Sequence, residues 1–362
     1  MPPAAPAATS WRAEPGSITA NVQRGRSRRW GSLITAVALV MACSPIAEPS
    51  RGTARPTTAP SASGAFPTAS DTSPYAAIFE GDPTGATDVS LELTAFLEAY
   101  DGRRVALAEN GVYRVTQVRI NATGLTVDFR GSRLAASEVG VHGILRLQDC
   151  VDVTLNDPAV TGTGYAWETP ADSNQDPNQN EHGIQIDGGH GITLDRPLTR
   201  DTRGDGIYTS FQEGQNEPPT GVVLNDVDIQ RASRNGIAPV AGEVTIHGGR
   251  IVQVGLHGVD FEVNDAVAAE SIVGIVDGVD IRRHGDLPGI EADSYAVAAG
   301  GYSDATKQSI VVENLTGDDL RMTIRNTAVV TIRNNVSDEQ TAADFPGVGS
   351  VTFSDNVRID RG

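Results

Sequence analysis

The chain of 362 residues is poor in the residues that form bulky cores and covalent cross-links. Only 5% of it is aromatic whereas 39 residues are glycine, so we expect a narrow interior filled by stacked aliphatic side chains. It has two cysteines, and because Cys43 lies in an N-terminal segment described below, Cys150 has no partner within the folded part. No stretch of residues 112–300 shows a sustained helical period, which excludes a helical bundle.

Basic residues are also scarce, and Lys307 is the single lysine. The chain has 28 Lys and Arg against 46 Asp and Glu, a net charge of −18. Residues 1–43 are basic, so the acidic excess lies in the rest of the chain. Such a surface repels nucleic acid and anionic membranes, and it disfavours a polyanionic substrate unless a divalent cation bridges the two. We therefore expect no nucleic-acid partner.

Residues 1–43 have the pattern of an export signal. Arginines at 24, 26, 28 and 29 precede an apolar run, 33–42, that is too short to span a bilayer. The run ends in Val40-Met41-Ala42-Cys43, which resembles a bacterial lipobox and implies a diacylated Cys43 as the mature N-terminus. The alternative is cleavage after Ala42 or Ala47, which would give a secreted protein. Residues 1–21 carry no export pattern, which indicates a misassigned start codon.

Residues 44–75 consist mostly of Pro, Ser, Thr, Ala and Gly, without apolar periodicity. This composition is typical of a flexible tether. The sequence therefore predicts an exported protein that is anchored to the bacterial cell envelope by its lipid, with a single folded domain over 76–362.

A glycine followed by an aliphatic residue recurs through the middle of the chain at spacings of 22 to 31 residues. The repeats are His182-Gly183-Ile184, Asp205-Gly206-Ile207, Asn235-Gly236-Ile237, His257-Gly258-Val259 and Pro288-Gly289-Ile290. Within each period apolar residues alternate with polar ones, as in half-buried strands, and Gly, Asn or Asp follow where a tight corner needs positive φ. Short strand units of this period must stack on their neighbours, so the pattern predicts an all-β parallel solenoid.

Two segments resemble the pectate-lyase-like right-handed parallel β-helix superfamily. Residues 78–115, which include Glu80-Gly81-Asp82-Pro83-Thr84-Gly85, are similar to its N-terminal cap, and residues 258–264 are similar to a segment found in many members. The resemblance implies a single-stranded right-handed parallel β-helix over 76–362 with a short capping helix near 88–100. It also implies a carbohydrate-active protein, but it does not select a reaction because the superfamily includes hydrolases, lyases, epimerases and adhesins.

Side chains alternate between the two faces of a strand, so the repeat predicts which residues point outward. If the aliphatic residue of each repeat points inward, the residues one and three positions later point outward. One such column is Gln185, Tyr208, Ala238, Asp260 and Glu291, and the other is Asp187, Ser210, Val240, Glu262 and Asp293. The carboxylates of Asp260, Glu262, Glu291 and Asp293 are then predicted to form a grid, about 4.8 Å across rungs and about 6.6 Å along a strand.

Two chemistries use such a cluster. Crowding raises the pKa of one carboxyl, which then serves as a proton donor beside an ionised base or nucleophile, as glycoside hydrolysis requires. This chemistry needs no cofactor. Alternatively the four carboxylates bind Ca²⁺. A third interpretation is that they are solvated acids on an acidic surface.

Other residues are predicted to line the same groove. Tyr208, and Trp167 in the loop 163–181, offer flat rings on which sugars stack, and Arg234 precedes the grid by sequence. His257 is either an acid or base, or part of a hydrogen-bonding column at the strand starts with His182, Asp205 and Asn235. In related pectate lyases an arginine acts with Ca²⁺, so Arg234 leaves a lyase open. The alternative is that Arg234 forms salt bridges that offset the acidic surface.

The leading hypothesis is a cell-surface protein that cleaves a polysaccharide or oligosaccharide with paired carboxylates. The alternatives are a Ca²⁺-dependent polysaccharide lyase or uronate epimerase, and a glycan-binding or structural surface protein without turnover. The sequence leaves open the sugar, the linkage and the stereochemical outcome.

Overall fold

The computed structural model describes residues 73–139, 142–165, 179–211, 217–240, 242–262, 272–285, 294–300, 308–325, 327, 329–344 and 348–358. The predicted export signal at 1–43 and the predicted tether up to residue 72 lie outside them. Within these ranges, no helix is both long enough and apolar enough to cross a membrane.

The described chain forms one helix and a succession of short strands. In chain order the elements are β1 (Ala77–Phe79), α1 (Ser90–Ala99), β2 (Arg104–Leu107), β3 (Val112–Val115), β4 (Val118–Ile120), β5 (Thr126–Asp128), β6 (Arg133–Ala136), β7 (Leu145–Gln148), β8 (Thr154–Asn156), β9 (Ala159–Thr161), β10 (Ile184–Asp187), β11 (Thr193–Asp195), β12 (Leu198–Thr202), β13 (Ile207–Ser210), β14 (Val222–Ala232), β15 (Ile237–Pro239), β16 (Gly242–Val254), β17 (Val259–Phe261), β18 (Ile272–Asp277), β19 (Asp280–His284), β20 (Val297–Ala299), β21 (Ser309–Glu313), β22 (Thr316–Ile324), β23 (Val329–Arg333), β24 (Val336–Asp344), β25 (Ser350–Ser354) and β26 (Val357–Arg358).

The strands stack in parallel on three faces. The first face contains β1, β2, β5, β8, β11, β18, β21, β23, β25 and the N-terminal halves of β14 and β16. The second contains β3, β6, β9, β12, β19, β26, the C-terminal halves of β14 and β16, and the N-terminal ends of β22 and β24. The third contains β4, β7, β10, β13, β15, β17, β20 and the C-terminal ends of β22 and β24. The predicted parallel β-helix is therefore confirmed.

Aliphatic ladders fill the interior, as the low aromatic content predicts. On the third face Leu145 pairs with Ile184, Ile184 with Ile207, and Ile207 with Ile237. Each of these side chains is buried, as is Val259 on the next rung. Cys150 is also buried, and its thiol donates to the Ile120 carbonyl at 3.3 Å. Burial of apolar surface along this bore drives the stacking of one turn on the next.

Left-handed backbone forms the corners between faces. Gly189 has φ of 85°, and a Cβ there would lie 2.2 Å from the Cys150 carbonyl oxygen of the preceding turn. Only glycine fits such an approach. Asp226, with φ of 49°, occupies a later corner, since short polar side chains tolerate this conformation. These are positions at which the sequence predicted turns.

The predicted capping helix is α1. Leu93, Phe96 and Leu97 form its buried face, and the Phe96 ring centroid lies 5.3 Å from that of Phe79. The Asp88 carboxylate, just before the helix, accepts a hydrogen bond from the backbone N–H of Ser90 at 2.9 Å. The helix precedes β4 along the chain and contacts this first strand of the third face.

One predicted rung is wrong. Val259 pairs with Val297, not with Ile290, and Asp260 pairs with Ala298, not with Glu291. Tyr295-Ala296-Val297 therefore takes the position that the sequence assigned to Pro288-Gly289-Ile290. The start of this strand is fixed by its backbone, because the Tyr295 N–H donates to the His257 ring. The small Ala296 fits the crowded position that glycine holds on the four preceding rungs.

Candidate functional site

Asp260, Glu262 and Tyr208 lie on the outward side of the third face. Tyr208 pairs with Ala238 on the next rung, and Ile237 pairs with Val259, which places Asp260 one rung beyond Ala238. The inward neighbours are fully buried, whereas Tyr208, Asp260 and Glu262 are half-buried. Glu262 follows Asp260 by two residues, so both carboxyls point to the same side, with Cα atoms about 6.6 Å apart. The predicted outward register holds over these rungs.

Small residues flank Asp260 along the helix axis. Ala238 lies on the rung before it and Ala298 on the rung after it, and Gly300 follows Ala298 by two residues. A Cβ on Gly300, which has φ of 138°, would lie 2.8 Å from Cβ of Arg325 on the following rung. Ala238 and Ala298 are themselves buried, so the axial neighbours of Asp260 are covered.

Residues at the strand starts form a ladder of side chains bonded to backbone. The Asp205 N–H donates to His182 Nδ1 at 3.1 Å, the Asn235 N–H donates to Asp205 Oδ1 at 2.9 Å, and the His257 N–H donates to Asn235 Oδ1 at 3.1 Å. The Tyr295 N–H then donates to His257 Nδ1 at 3.1 Å. Each rung thus fixes the start of the next one, which agrees with the hydrogen-bonding column considered from the sequence.

His257 belongs to this ladder through Nδ1, which must be unprotonated to accept the bond from Tyr295. Burial lowers the pKa of His257 to about 4, and the nearby His284 and Arg234 add to the effect. A neutral ring at physiological pH suits a structural acceptor better than a general acid. The geometry thus favours the structural interpretation of His257 over the catalytic one.

Arg234 connects the ladder to Asp260 and Glu262, which we call the acidic pair. Its guanidinium lies with Nη1 3.5 Å from Asp205 Oδ2 and Nη2 3.8 Å from Glu262 Oε2. The side chain is only 12% exposed, and its Nε is buried without a hydrogen-bond partner among the described residues. Burial alone would raise the pKa of Asp205, but Arg234 and His182 outweigh it and lower that pKa. Arg234 is therefore a fixed cation whose charge is shared between Asp205 and Glu262.

The two carboxyls of the pair differ in their surroundings. Burial and the charges of Glu262 and Asp205 raise the pKa of Asp260 to about 8, and Arg234 opposes this only in part. Burial also raises the pKa of Glu262, but Arg234 lies against it and favours its ionised form. Arg234 thus stabilises the charge of Glu262 directly, whereas Asp260 keeps its proton to a higher pH than an ordinary carboxyl and is the better proton donor.

Tyr208 stacks on a ring of the ladder. Its ring centroid lies 4.2 Å from that of His182, with an angle of 6° between the planes. Burial raises the pKa of Tyr208, and Glu262 and Asp205 raise it further, so the phenol stays neutral. The stacked Tyr208 ring lies one rung before Ala238. Its flat surface is of the kind that carbohydrate rings contact.

Several predicted site residues lie outside the described residues. Glu291, Asp293, Trp167 and Cys43 are among them. Since Asp260 pairs with Ala298, neither Glu291 nor Asp293 occupies the rung position assigned from the sequence. Within the described ranges no group of three or more His, Cys, Asp or Glu is arranged to hold a metal ion, and the Ca²⁺ hypothesis therefore remains a prediction.

The sequence did not predict the role of Asp205. It was recognised only as a member of the column at the strand starts, yet its carboxylate is fully buried and pairs with Arg234. The sequence held one indication of this contact. Arg234 directly precedes Asn235, and Asn235 lies one rung after Asp205, so the Arg234 guanidinium can reach the Asp205 carboxylate.

Comparison with known proteins detects the fold. No protein-family model and no curated protein matches the chain. The enzymatically active domain of tailspike protein 2 from bacteriophage CBA120 is similar, with a TM-score of 0.56 and 11% identity over 77% of this chain and 42% of the tailspike chain. The chain is a parallel β-helix protein.

Two further solved structures are similar at lower scores. The A-module of the mannuronan C-5 epimerase AlgE4 from Azotobacter vinelandii gives a TM-score of 0.43 and 11% identity, covering 77% of this chain and 97% of the module. The surface adhesin PfbA of Streptococcus pneumoniae gives 0.38 and 8%, covering 76% of this chain and 87% of the adhesin. This β-helix spans less than half of the tailspike chain, and identities this low establish the fold alone.

Proposed function

We propose that this β-helix is a glycoside hydrolase whose acid is Asp260 and whose base or nucleophile is Glu262. Asp260 protonates the oxygen of the scissile glycosidic bond as that bond breaks. Glu262 either activates the attacking water or attacks the sugar itself, and the two routes give inverted or retained products. The substrate is a polysaccharide or oligosaccharide seated on the outward side of the third face.

The unequal surroundings of the two carboxyls carry the proposal. A hydrolase of this type needs one protonated and one ionised carboxyl at the same pH, and it obtains them from different environments. Here Asp260 has its pKa raised to about 8, while Arg234 lies 3.8 Å from Glu262. Arg234 favours ionised Glu262 while Asp260 keeps its proton up to about pH 8, and this is the combination that the reaction uses.

The neighbours of the pair support this assignment. Arg234 is held in place by the buried Asp205, so its distance from Glu262 is fixed by the ladder and not by a mobile side chain. Tyr208 offers a stacking surface beside the pair. The tailspike domain, an enzymatically active parallel β-helix, supports the view that this scaffold can carry catalysis, although fold alone does not determine function.

The test is an assay of purified protein on dextran, laminarin, xylan, chitosan, alginate and polygalacturonate. Each reaction is followed for new reducing ends and for the ultraviolet absorbance of unsaturated sugars. We expect reducing ends without unsaturated products on at least one glycan, and loss of that activity in Asp260→Asn and in Glu262→Gln. Asp277→Asn is a matched control, because Asp277 is a partly exposed acid on the first face, paired with His247.

A uronate lyase or epimerase is the second candidate function. It is favoured by Arg234, whose guanidinium lies beside Glu262 and would offset the charge of a uronate carboxylate bound near that residue. Unsaturated products that require Ca²⁺, or epimerised alginate without cleavage, would replace the hydrolase. Binding of a glycan without turnover would instead favour a surface protein that only recognises carbohydrate.

The location of the protein is part of the proposal. The basic segment, the short apolar run and Cys43 favour a lipid-anchored envelope protein, with residues 44–75 as the tether. Such a position suits an enzyme that acts on an external polysaccharide.

A further inference from the structure

Asp205 is the one carboxylate in the ladder at the strand starts. The other side chains that accept a backbone N–H from the next rung are the rings of His182 and His257 and the amide of Asn235. Asn235 makes the same contact on the rung after Asp205, so an amide oxygen serves the ladder as well as a carboxylate does. The ladder therefore requires an acceptor at position 205 and not a charge.

The charge of Asp205 is also costly where it lies. The residue is fully buried, and an ionised carboxylate loses its hydration there. Its partners are the Asn235 N–H, which donates to Oδ1 at 2.9 Å, and the Arg234 guanidinium, with Nη1 3.5 Å from Oδ2. Buried ion pairs add little stability relative to neutral residues that pack well. Stability of the fold therefore does not account for a carboxylate at this position.

Arg234 transmits the charge of Asp205 to the acidic pair. Its Nη2 lies 3.8 Å from Glu262 Oε2, while its Nη1 faces Asp205. The charge of Asp205 raises the pKa of Arg234 more than the charges of Glu262 and Asp260 do. Much of the positive charge is thus balanced by Asp205, and only the remainder acts on the acidic pair.

Few charges act on Asp260. Its neighbours on the two adjacent rungs are alanines. Among the described residues, the charged groups that act on it are Glu262, Asp205 and Arg234. The two carboxylates favour the protonated form of Asp260, and the guanidinium opposes them. A neutral residue at position 205 would remove one of these negative charges and would leave the guanidinium to act on the acidic pair alone.

We propose that Asp205 is a positioning residue of the hydrolase, which holds Arg234 and offsets enough of its charge for Asp260 to remain a proton donor at neutral pH. This inference rests on the proposed function. Asp205 does not contact the reacting atoms and acts through Arg234. The guanidinium then favours ionised Glu262 without removing the proton of the neighbouring acid.

Asp205→Asn tests the charge while it keeps the ladder. The new Oδ1 can accept the same N–H from Asn235, and the new Nδ2 takes the place of Oδ2, which lies 3.1 Å from His182 Nδ1, itself an acceptor. Asp205 lies two rungs before Asp260, and one charge at roughly 12 Å in an effective dielectric constant of about 20 moves a titration by about one pH unit.

The readout is the pH profile of kcat/KM on a glycan that the protein cleaves. In Asp205→Asn the basic limb should move from near pH 8 to about pH 7. Activity should then fall about fivefold at pH 8 and change little at pH 6. A purely structural role of Asp205 would lower activity by the same factor at every pH, and that result would overturn the proposal.

Asp201→Asn is the matched control. Asp201 precedes Asp205 by four residues and also pairs with an arginine, since Arg231 Nε lies 2.5 Å from its Oδ1. It is not among the groups that act on Asp260. The basic limb of this variant should stay near pH 8. A limb that moves equally in both variants would count against a specific role of Asp205.

A stability measurement tests the same charge without a substrate. Asp260→Asn should raise the melting temperature at pH 8 to 9, because the folded protein then no longer holds a carboxyl with a raised pKa. In the Asp205→Asn background this gain should be smaller. An equal gain in both backgrounds would refute the proposed role of Asp205. If no glycan is cleaved, the hydrolase is overturned, and this comparison still decides the role of Asp205.

Asn235→Asp decides the question if Asp205→Asn does not fold. It adds a carboxylate one rung nearer to Asp260 and keeps an oxygen for the His257 N–H. The added negative charge should move the basic limb above pH 8. A folded Asn235→Asp protein with an unchanged limb would contradict the proposal.

Discussion

Asp260→Asn tests both the electrostatics and the chemistry of the site. The substitution keeps the shape of the side chain and removes its ability to donate a proton or to carry charge. We expect turnover to fall by about 10² to 10⁴, the usual contribution of a positioned general acid. The folded protein should nevertheless become more stable at neutral pH.

The stability effect follows from the raised pKa. The carboxyl of Asp260 has a pKa of 3.8 in the unfolded chain and about 8 in the folded protein. Between these two values the unfolded state is ionised while the folded state keeps its proton, so the folded protein loses stability as pH rises from 3.8 to 8. At pH 7 only the part of the shift between 3.8 and 7 counts, which sets an upper limit of about 4 kcal/mol at about 1.4 kcal/mol per pH unit. Because Asp260 is half-buried and has Arg234 nearby, we expect about 1 to 2 kcal/mol.

The assay is thermal unfolding at a series of pH values from 4 to 9. In a domain of this size, about 1 to 2 kcal/mol raises the melting temperature by roughly 2 to 8 °C. Asp260→Asn should therefore melt above the wild type at pH 7 to 8, and the difference should vanish near pH 4. Equal melting temperatures at all pH values, together with full activity, would refute both the raised pKa and the assigned role.

Three other predictions test the surroundings of the pair and the N-terminal segment. Arg234→Ala should destabilise the fold by about 3 to 5 kcal/mol, because the buried Asp205 loses its cation, and denaturant unfolding would measure the loss. His257→Ala should cost about 1 to 3 kcal/mol through the unpaired Tyr295 N–H but keep most activity, whereas complete loss in a folded variant would make His257 catalytic. The stability difference between the wild type and His257→Ala should also shrink as pH drops from 6.5 through 4, because only the wild type has a buried ring whose pKa is lowered to about 4 and therefore loses stability there. Cys43→Ser should move the exported protein from the membrane to the soluble fraction, and unchanged fractionation would exclude the lipid anchor.

Much of the fold could be predicted because inward residues obey a strict geometric rule. Ile184, Ile207, Ile237 and Val259 each follow a glycine at the start of a strand, and the structure pairs them in the predicted order. The rule failed for the next rung, where Ala296 replaces glycine. Gly289, seven residues before Ala296, also matches the repeat pattern. The local sequence therefore does not distinguish Pro288-Gly289-Ile290 from Tyr295-Ala296-Val297 as the start of this strand.

The candidate site was predictable in position but not in its electrostatics. Alternation along β17 placed Asp260 and Glu262 outward, and this needs only a correct register. The charge on each depends on contacts across rungs, such as that of Arg234 with Asp205, which no spacing within one strand reveals. The burial of Gln185 and Ala238, both predicted to point outward, was also missed, because an outward position was equated with an exposed one.

The pH dependence of kcat/KM for hydrolysis tests the central claim most directly. In the free enzyme the reaction requires ionised Glu262 and protonated Asp260, so the profile should be bell-shaped with its basic limb near pH 8. Products should be new reducing ends without unsaturated sugars. A profile that stays flat through pH 8 and above, on a glycan that the protein hydrolyses, would contradict the assignment of Asp260 as the acid.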